Sequence, residues 1–570
     1  MLGRLPRYLG AASATILVGA GAAASAQIAY TDLSPGLGLP YGRYRCVAAY
    51  DYDGDGRDDL LYGGAGGGLH LYRNLGGWRF ADVTADVLPA LPATDSYGGA
   101  VFGDLDGDGL PDLVLGGRPS PPRVLRQRSD HTFEDATAGS GVAAADRTLS
   151  LHLADLDGDG RLDIYLALLN ARNKLFRNRG GMRFAEEATA RGAEDLNVSM
   201  GAIATDYDRD GDVDLYLTHD ANRANLLLDN DGAGAFRDLA RVRGVDVAAN
   251  GMGVDVADFD ADGAPDFYVT NLYENKLLLS GGRFPRRYVD EAVPRGAEEV
   301  GMSWGVRAFD ADQDGRLDIY VANESYFRIR GEERANVMYR GRPDGTFVDV
   351  AAGALRSPYN DFGLATADFD NDGDLDLALA TSGGNGCQVL RNDTRGGRSL
   401  TVRTPLVNAH ATVYLDGRAQ WAETHGGSGF AGQSSGAWHF GLGEVARVDS
   451  LVIEPLGGGR YVYRDLAAGT QWRFDATAGL QPARVTSSTV LAAAVPEVTV
   501  APNPTPGRVT VPLPGGEWAY VLADALGRPV ARGRGTGTLD LDLGALPSGA
   551  YQLELRRWDG VRVVRPVLRE

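Results

Sequence analysis

The chain has 570 residues, of which 44% are hydrophobic and 23% are charged, so it is not wholly disordered and has room for two to four domains. Its formal net charge of −20 argues against nucleic acid and anionic membrane surfaces as partners. Glycine accounts for 78 residues without a collagen-like period of three. That usage, about twice the average, is typical of a protein built from many turns.

The N-terminal segment has the features of a secretory signal peptide. Arg4 and Arg7 form a basic region, residues 11–23 form a short apolar core, and Ala24-Ser-Ala26 forms a small-x-small cleavage site. The alternative is a membrane anchor, but the apolar core is too short to span a bilayer. The sequence therefore predicts a signal peptide over residues 1–26 and a mature protein without a membrane span outside the cytoplasm.

An aspartate-rich loop recurs seven times, at spacings of 51 to 58 residues. Each copy has Asp at positions 1, 3, 5 and 9 and Gly at position 6, and apolar, β-forming runs flank it. Four short strands per repeat of ~50 residues are typical of a propeller blade. We therefore predict an all-β chain whose residues 27–396 form a seven-bladed β-propeller.

A short aromatic-x-acid segment follows the third predicted strand of the repeats, as in Phe80-Ala-Asp82 and Phe133-Glu-Asp135. The first such segment, Tyr30-Thr-Asp32, precedes the first loop, and the last repeat lacks one. We therefore expect Tyr30-Thr-Asp32 to complete the last blade, which closes the ring and leaves no exposed sheet edge.

The composition of the loops predicts calcium sites. Ca²⁺ takes six to eight oxygen ligands, and Gly at position 6 permits a left-handed turn. Position 7 varies widely, which indicates that its backbone carbonyl faces the ion. Apolar residues at position 12 and strands on both sides exclude an EF-hand. Plain hairpin turns are the alternative, but a turn does not need four mutually repelling carboxylates.

The predicted ligands make up to seven Ca²⁺ sites, one in each loop. They are Asp51, Asp53, Asp55, Arg57 and Asp59; Asp104, Asp106, Asp108, Leu110 and Asp112; Asp155, Asp157, Asp159, Arg161 and Asp163; Asp206, Asp208, Asp210, Asp212 and Asp214; Asp258, Asp260, Asp262, Ala264 and Asp266; Asp310, Asp312, Asp314, Arg316 and Asp318; Asp368, Asp370, Asp372, Asp374 and Asp376.

The repeats resemble the FG-GAP and VCBS repeats that form the propellers of integrin α-subunits and their bacterial relatives. The resemblance covers roughly residues 28–395 and rests on the Asp-x-Asp-x-Asp-Gly-x-x-Asp loops. It implies Ca²⁺ in these loops, on one face of a seven-bladed ring.

Residues 397–476 resemble the ASPIC/UnbV domain of the cartilage acidic protein family. The matching motifs are Gly427-Ser-Gly-Phe-Ala-Gly-Gln433 and His439-Phe-Gly-Leu-Gly443, whereas the usual Trp-Pro-Ser-Gly turn is replaced by Glu454-Pro-Leu-Gly457. We expect a small β domain here.

The C-terminal part, after a predicted linker over residues 477–497, resembles the sorting domain of type IX secretion substrates. The resemblance rests on Ala501-Pro-Asn-Pro, on residues 523–530 and on Leu546-Pro-Ser-Gly-Ala-Tyr. We expect residues 498–570 to form a β-sandwich-like module that engages the type IX machinery. A generic immunoglobulin-like domain that only aids folding is the alternative.

These features predict a secreted or cell-surface, calcium-binding module that binds a protein or glycan ligand and is not an enzyme. One alternative is a hydrolase or lyase on the central face of the propeller, and another is a structural matrix component. The seven histidines show no metal-binding spacing, and Gly427-Ser-Gly lacks the spacing of a nucleophile elbow. We expect His425 and His439, which flank that turn, to pack within the β domain.

The two cysteines, Cys46 and Cys387, fall in the first and last repeats. In a secreted chain they could form one disulfide that ties the ring closed, or remain two buried thiols.

Overall fold

The fold is known from a computed structural model. It describes residues 27–64, 68–143, 147–281, 287–329, 331–383, 386–483, 505, 507–524, 529–557 and 562–569. The predicted signal peptide and most of the predicted linker lie outside these residues. Strands account for nearly all regular structure, as the predicted all-β class requires. Within the described residues, no helix has the length and apolar character needed to cross a membrane.

Residues 30–392 form seven four-stranded antiparallel units, called blades 1 to 7. In order from the inner strand they are Tyr44–Tyr50, Asp59–Gly64, Leu69–Asn74 and Phe80–Asp82; Tyr97–Gly103, Asp112–Gly117, Arg123–Gln127 and Phe133–Asp135; Arg147–Ala154, Asp163–Leu169, Lys174–Asn178 and Phe184–Glu186; Ser199–Thr205, Asp214–His219, Leu226–Asn230 and Phe236–Asp238; Gly251–Ala257, Asp266–Glu274, Lys276–Ser280 and Tyr288–Asp290; Val300–Phe309, Asp318–Asn323, Val337–Gly341 and Phe347–Asp349; Asn360–Ala367, Asp376–Ser382, Gln388–Asn392 and Tyr30–Asp32.

The blades are arranged in a ring. The inner strand of each blade lies beside those of its neighbours, and the inner strand of blade 7 lies beside that of blade 1. Tyr30–Asp32 pairs antiparallel with Gln388–Asn392, which confirms that the N-terminal strand completes the last blade. Apolar side chains fill the space between neighbouring blades, as with Leu153 of blade 3 against Val101 of blade 2.

The remaining elements of this region are short. A two-residue pair, Arg223–Ala224 with Ala248–Ala249, flanks blade 4. The helices are Ser34–Leu37, Thr84–Val87, Ala188–Arg191, Ala240–Arg243, Ala292–Arg295 and the 3₁₀ turn Gly353–Leu355.

A small domain of two four-stranded sheets follows the propeller. One sheet has the order Ala437–Gly443, Arg398–Arg403, Gln471–Asp475 and Gly479–Pro482, and the other has the order Arg418–Glu423, His410–Leu415, Arg447–Glu454 and Tyr461–Ala467. The last strand, Gly479–Pro482, lies beyond the boundary predicted at residue 476 and within the range assigned to the linker. Leu480, Trp472 and Phe474 pack in the core of this domain, so it continues to Pro482.

The C-terminal module is a separate four-stranded antiparallel sheet. Its order is Pro529–Asp542, Arg508–Asp524, Gly549–Arg557 and Arg562–Arg569. Trp518, Leu553 and Leu555 are buried in its core.

Candidate metal centres and their interdomain setting

Each aspartate loop joins the first and second strands of one blade, and all seven lie on one side of the ring, called the loop face. The Asp at position 1 accepts a hydrogen bond from the backbone N–H of Gly at position 6 in every loop, at 2.7–3.1 Å. All seven of these glycines have φ between 83° and 99°, which confirms the predicted left-handed turn.

The Asp at position 5 fixes the second half of each loop. Its Oδ1 accepts a hydrogen bond from the backbone N–H of position 7 in all seven copies, at 2.9–3.3 Å. Position 7 thus takes the same place in every loop although its side chain varies, as a role for its backbone requires.

The Asp at position 9 connects the loop to its blade. In all seven blades, one carboxylate oxygen accepts a hydrogen bond from the backbone N–H of position 2. The other oxygen accepts a hydrogen bond from the backbone N–H of the last residue of the third strand. Because both oxygens already accept amide donors, position 9 braces the blade. Each oxygen keeps a second lone pair for a cation.

The loops bring carboxylates together at metal-binding separations. In loop 1, ligand atoms of Asp51, Asp53 and Asp59 lie within 4.8 Å of one another. In loops 2 to 5 the corresponding groups come from positions 1, 3 and 5.

Several buried carboxylate oxygens in these loops have no hydrogen-bond partner among the described residues. They belong to position 3 in loops 3 to 7, at Asp157, Asp208, Asp260, Asp312 and Asp370, and to position 7 at Asp212 and Asp374. A buried carboxylate oxygen without a donor is costly, and a hard cation is the ligand that it suits. The loops therefore fit Ca²⁺.

Burial and mutual repulsion raise the pKa of many of these carboxyl groups. Desolvation, and then the charge of Asp58, raises the pKa of Asp51 to about 7. Desolvation, and then Asp372, raises that of Asp374 to about 9. Asp258 is raised to about 6, by desolvation that its neighbours Asp262 and Asp260 reinforce. Without a cation, these clusters hold protons near neutral pH.

Arginines on the third strand contact four of the loops, a feature that the sequence analysis missed. Arg73, Arg126 and Arg340 form ion pairs with the Asp at position 3 of loops 1, 2 and 6 at 2.5–2.6 Å, and Arg177 contacts Asp157 in loop 3. The sequence feature that could have predicted these contacts is an arginine at the next-to-last residue of the third strand. Blades 4 and 5 have Asp229 and Leu279 at that place.

The small domain lies on the loop face and contacts several loops directly. Arg403 forms an ion pair with Asp58 at 2.8 Å, and Gln471 donates a hydrogen bond to Asp368 at 2.7 Å. The guanidinium of Arg209, at position 4 of loop 4, lies 4.7 Å from the centre of the Trp421 ring. Loops 1, 4 and 7 are therefore interdomain contacts as well as candidate metal sites.

A glycine-rich loop of the small domain fills the centre of the ring. Residues 426–433, called the channel plug, are all buried. The pair Gly432–Gln433 runs parallel to the inner strand of blade 1, and Gln433 exchanges two hydrogen bonds with the backbone of Phe102 at 2.8 and 2.9 Å. Phe430 packs against Trp304, with ring centres 4.8 Å apart.

The histidines around the plug contact backbone. His425 Nδ1 lies 3.1 Å from the carbonyl of Ala204, and His439 Nε2 lies 2.9 Å from that of Gly373, so both histidines contact the propeller and not only the β domain in which we expected them to pack. Among the described residues, the serine–histidine pair that comes closest to a nucleophile and its base is Ser150 Oγ, 3.0 Å from His152 Nε2. Both residues are buried, and the plug passes over His152 at Gly427, so a substrate has no access to the pair.

Cys46 and Cys387 are buried free thiols. The Cys46 thiol donates to the carbonyl of Gly63 at 3.3 Å, and burial raises its pKa to about 12. Of the two alternatives that the sequence left open, the structure therefore has two buried thiols.

Comparison with protein families identifies two regions. An FG-GAP-like repeat matches residues 51–115, 104–166, 206–269 and 310–379, ranges that contain all seven loops, and ASPIC and UnbV matches residues 401–481. The chain carries FG-GAP-like repeats and an ASPIC/UnbV domain. The small domain is therefore called the ASPIC/UnbV domain below.

The chain is homologous to cartilage acidic protein 1. It is 28% identical to the human protein over 336 residues, 52% of this chain and 50% of that protein, so it spans about half the length of the human relative. It is 26% identical to the mouse protein over 476 residues, 75% of this chain and 72% of that protein. Among solved structures, BBS1N in complex with ARL6DN aligns with a TM-score of 0.41 and 12% identity, covering 63% of this chain and 96% of that chain.

Proposed function

We propose that this chain is a secreted or cell-surface protein whose propeller binds up to seven Ca²⁺ and acts as an extracellular binding module for a protein or glycan partner. The observation that carries the proposal is the repeated loop, which gathers carboxylates with unpartnered oxygens and raised pKa values. No catalytic role is part of it.

In each loop, positions 1, 3 and 5 would supply carboxylates, position 7 its carbonyl, and position 9 a carboxylate shared with the backbone. The ion, when bound, supplies positive charge that offsets the repulsion among these groups. The loop's backbone hydrogen bonds hold positions 1, 5 and 9 in place, so the protein contributes a preformed cage.

Calcium binding is tested directly by equilibrium dialysis of the full mature chain against ⁴⁵Ca²⁺. We expect up to seven ions per chain, displaced by EGTA and poorly replaced by Mg²⁺, because Mg²⁺ demands stricter octahedral geometry. The Asp208→Asn variant should lose about one ion, since only its own loop changes. Absence of binding in millimolar Ca²⁺ contradicts the proposal.

We also propose that the C-terminal module, from residue 498 on, directs type IX secretion after the signal peptide delivers the chain to the periplasm. Its own apolar core supports a separately folded unit. A truncation before Val498 should leave the protein in the periplasm, whereas the intact chain is exported, as measured by cell fractionation. Equal export of both forms contradicts the sorting role and leaves the calcium proposal untouched.

A further inference from the structure

The face of the ring opposite the loop face, called the open face, carries exposed apolar side chains. Tyr41, Leu196, Tyr273, Tyr326 and Phe327 are 39–74% exposed, and they lie in or beside connections on this side. The loop face, in contrast, is acidic and covered in part by the ASPIC/UnbV domain. Tyr326 and Phe327 are adjacent in one connection, and such neighbouring exposed apolar side chains indicate an interaction surface.

Apolar side chains line the centre of the ring toward the open face. Phe430 of the plug packs against Trp304, whose ring centre lies 5.0 Å from that of Phe362. Met252 belongs to the same buried cluster, and Leu272 is partly buried against it. A ligand that enters from this side therefore meets an apolar floor.

Two arginines lie at this end of the inner strands. The Arg45 guanidinium carbon is 4.1 Å from the centre of the Phe362 ring, and the Arg118 side chain passes beside Gly98, where an added Cβ would lie 3.3 Å from its Cδ. Within the described ranges, neither guanidinium forms an ion pair or a hydrogen bond, although many other arginines of this chain do.

The positive charge of these two arginines is only weakly balanced. Burial, together with the charges of Arg45 and Arg147, lowers the pKa of Arg118 to about 10. Glu324 is the acidic group that acts on Arg45, and its Oε2 already accepts a hydrogen bond from Trp304 at 3.2 Å. Partly buried charges of one sign favour a bound counter-ion.

We propose that the open face binds an extended acidic segment of another protein, with one carboxylate held between Arg45 and Arg118 and its apolar neighbours packed on Tyr326 and Phe327. Guanidinium groups match a carboxylate in geometry as well as charge. A polyanionic glycan is disfavoured because Glu324 beside Arg45 repels it and the neighbouring side chains are apolar, whereas a single carboxylate flanked by apolar side chains suits this surface. This proposal rests on the proposed role as an extracellular binding module.

The test uses the full chain in millimolar Ca²⁺ and two matched arrays of short peptides. One array carries a single Glu among apolar residues, and the other carries Gln in its place. We expect binding to the Glu array only, reduced about tenfold or more in the Arg45→Gln/Arg118→Gln variant, because charged hydrogen bonds are lost. Arg128→Gln is the matched control, since Arg128 is an exposed arginine paired with Glu134 near the loop face.

Three results overturn the proposal: equal binding to both arrays, no binding to either, or undiminished binding by the double variant. Heparin is a further arm, and heparin binding that depends on Arg45 and Arg118 assigns the site to a polyanion instead. A Tyr326→Ser/Phe327→Ser variant should also weaken Glu-peptide binding. Calcium dialysis of the double variant separates the two proposals, because it should bind Ca²⁺ as the wild type does.

Discussion

At the scale of single residues, the seven loops differ in how their negative charge is balanced. Arg126 lies 2.6 Å from Asp106 in loop 2, whereas Asp208 in loop 4 has no ion-pair partner within the described part of the chain. Loop 4 also has a fifth carboxylate at Asp212, and Asp229 stands where five of the other six blades have arginine. Asp208 therefore depends on a bound cation more than Asp106 does.

The first prediction compares two equivalent substitutions. In millimolar Ca²⁺, Asp208→Asn should lower the melting temperature more than Asp106→Asn, because no arginine among the described residues forms an ion pair with Asp208, whereas Arg126 pairs with Asp106. A site occupied at a hundredfold excess over Kd contributes about 2.7 kcal/mol of stability, so losing it should be visible in a thermal melt. Equal shifts, or a larger one for Asp106→Asn, contradict this ranking of the loops.

The second prediction concerns pH in the calcium-free protein. The pKa values of Asp51, Asp258 and Asp374 are about 7, 6 and 9, above the ordinary value of 3.8. A carboxyl group whose pKa rises on folding stabilises the protein at low pH, and this stability is lost as pH rises through the folded-state pKa. Calcium-free protein should therefore melt a few degrees higher at pH 5.5 than at pH 8.

Added Ca²⁺ should reverse this pH dependence of the melting temperature. Protons compete with Ca²⁺ for the same oxygens, so the stabilisation by Ca²⁺ should shrink as pH falls from 8 to 5.5. Calorimetry of desalted protein with and without added Ca²⁺ measures both slopes. A calcium-free melting temperature that rises with pH across this range contradicts the assignment.

At the scale of elements, the channel plug depends on glycine at a crowded position. A Cβ on Gly432 would lie 2.3 Å from the carbonyl oxygen of Leu364, closer than any real contact allows. Gly432 pairs with the inner strand of blade 1 while it also lies against Leu364 in the inner strand of blade 7. The plug therefore has little tolerance for a side chain here.

The third prediction is that Gly432→Ala displaces the plug. We expect a loss of about 1–3 kcal/mol in the free energy of unfolding, typical of overpacking, together with faster proteolysis between residues 424 and 436. Gly36→Ala is the control, because nothing lies within 4 Å of the Cβ it would add. Equal free energies of unfolding for Gly432→Ala and Gly36→Ala would show that the channel plug does not pack against Leu364 at Gly432.

The sequence was informative about elements whose pattern is local and repeated. Alternating aspartates with glycine at position 6 specify the loop, and the displaced Tyr30-Thr-Asp32 segment specifies how the ring closes, so both were predictable. The burial of Gly427-Ser-Gly-Phe inside the propeller was not predictable, because a glycine-rich turn has the same sequence pattern whether it lies on a surface or inside another domain. Its burial depends on docking, which no local pattern encodes.

The backbone conformation at position 4 of the loops was also not predictable from the sequence. All seven residues there have positive φ, and only three of them are glycine; Arg209 and Ala261 are among the exceptions. A left-handed conformation is unfavourable for such residues and is imposed by the hydrogen bonds around them. Residue type therefore did not predict the backbone conformation here.

At the scale of the whole molecule, the loops link the propeller to the ASPIC/UnbV domain. Asp368 accepts a hydrogen bond from Gln471, and Asp58, within loop 1, pairs with Arg403. Calcium that orders these loops should therefore stabilise the docked pair of domains as well as single blades. The two domains should unfold together in Ca²⁺, because they share the loop face.

The central claim is that the seven loops hold calcium and that this calcium stabilises the molecule. The most direct measurement is a thermal melt of the full mature chain in millimolar Ca²⁺ and in EGTA. Several sites at about 2.7 kcal/mol each rival the 5–15 kcal/mol that stabilises a whole domain, so the account predicts a much higher melting temperature in Ca²⁺. An identical melting temperature in both conditions would show that the loops are turns without a bound ion, and would contradict the account.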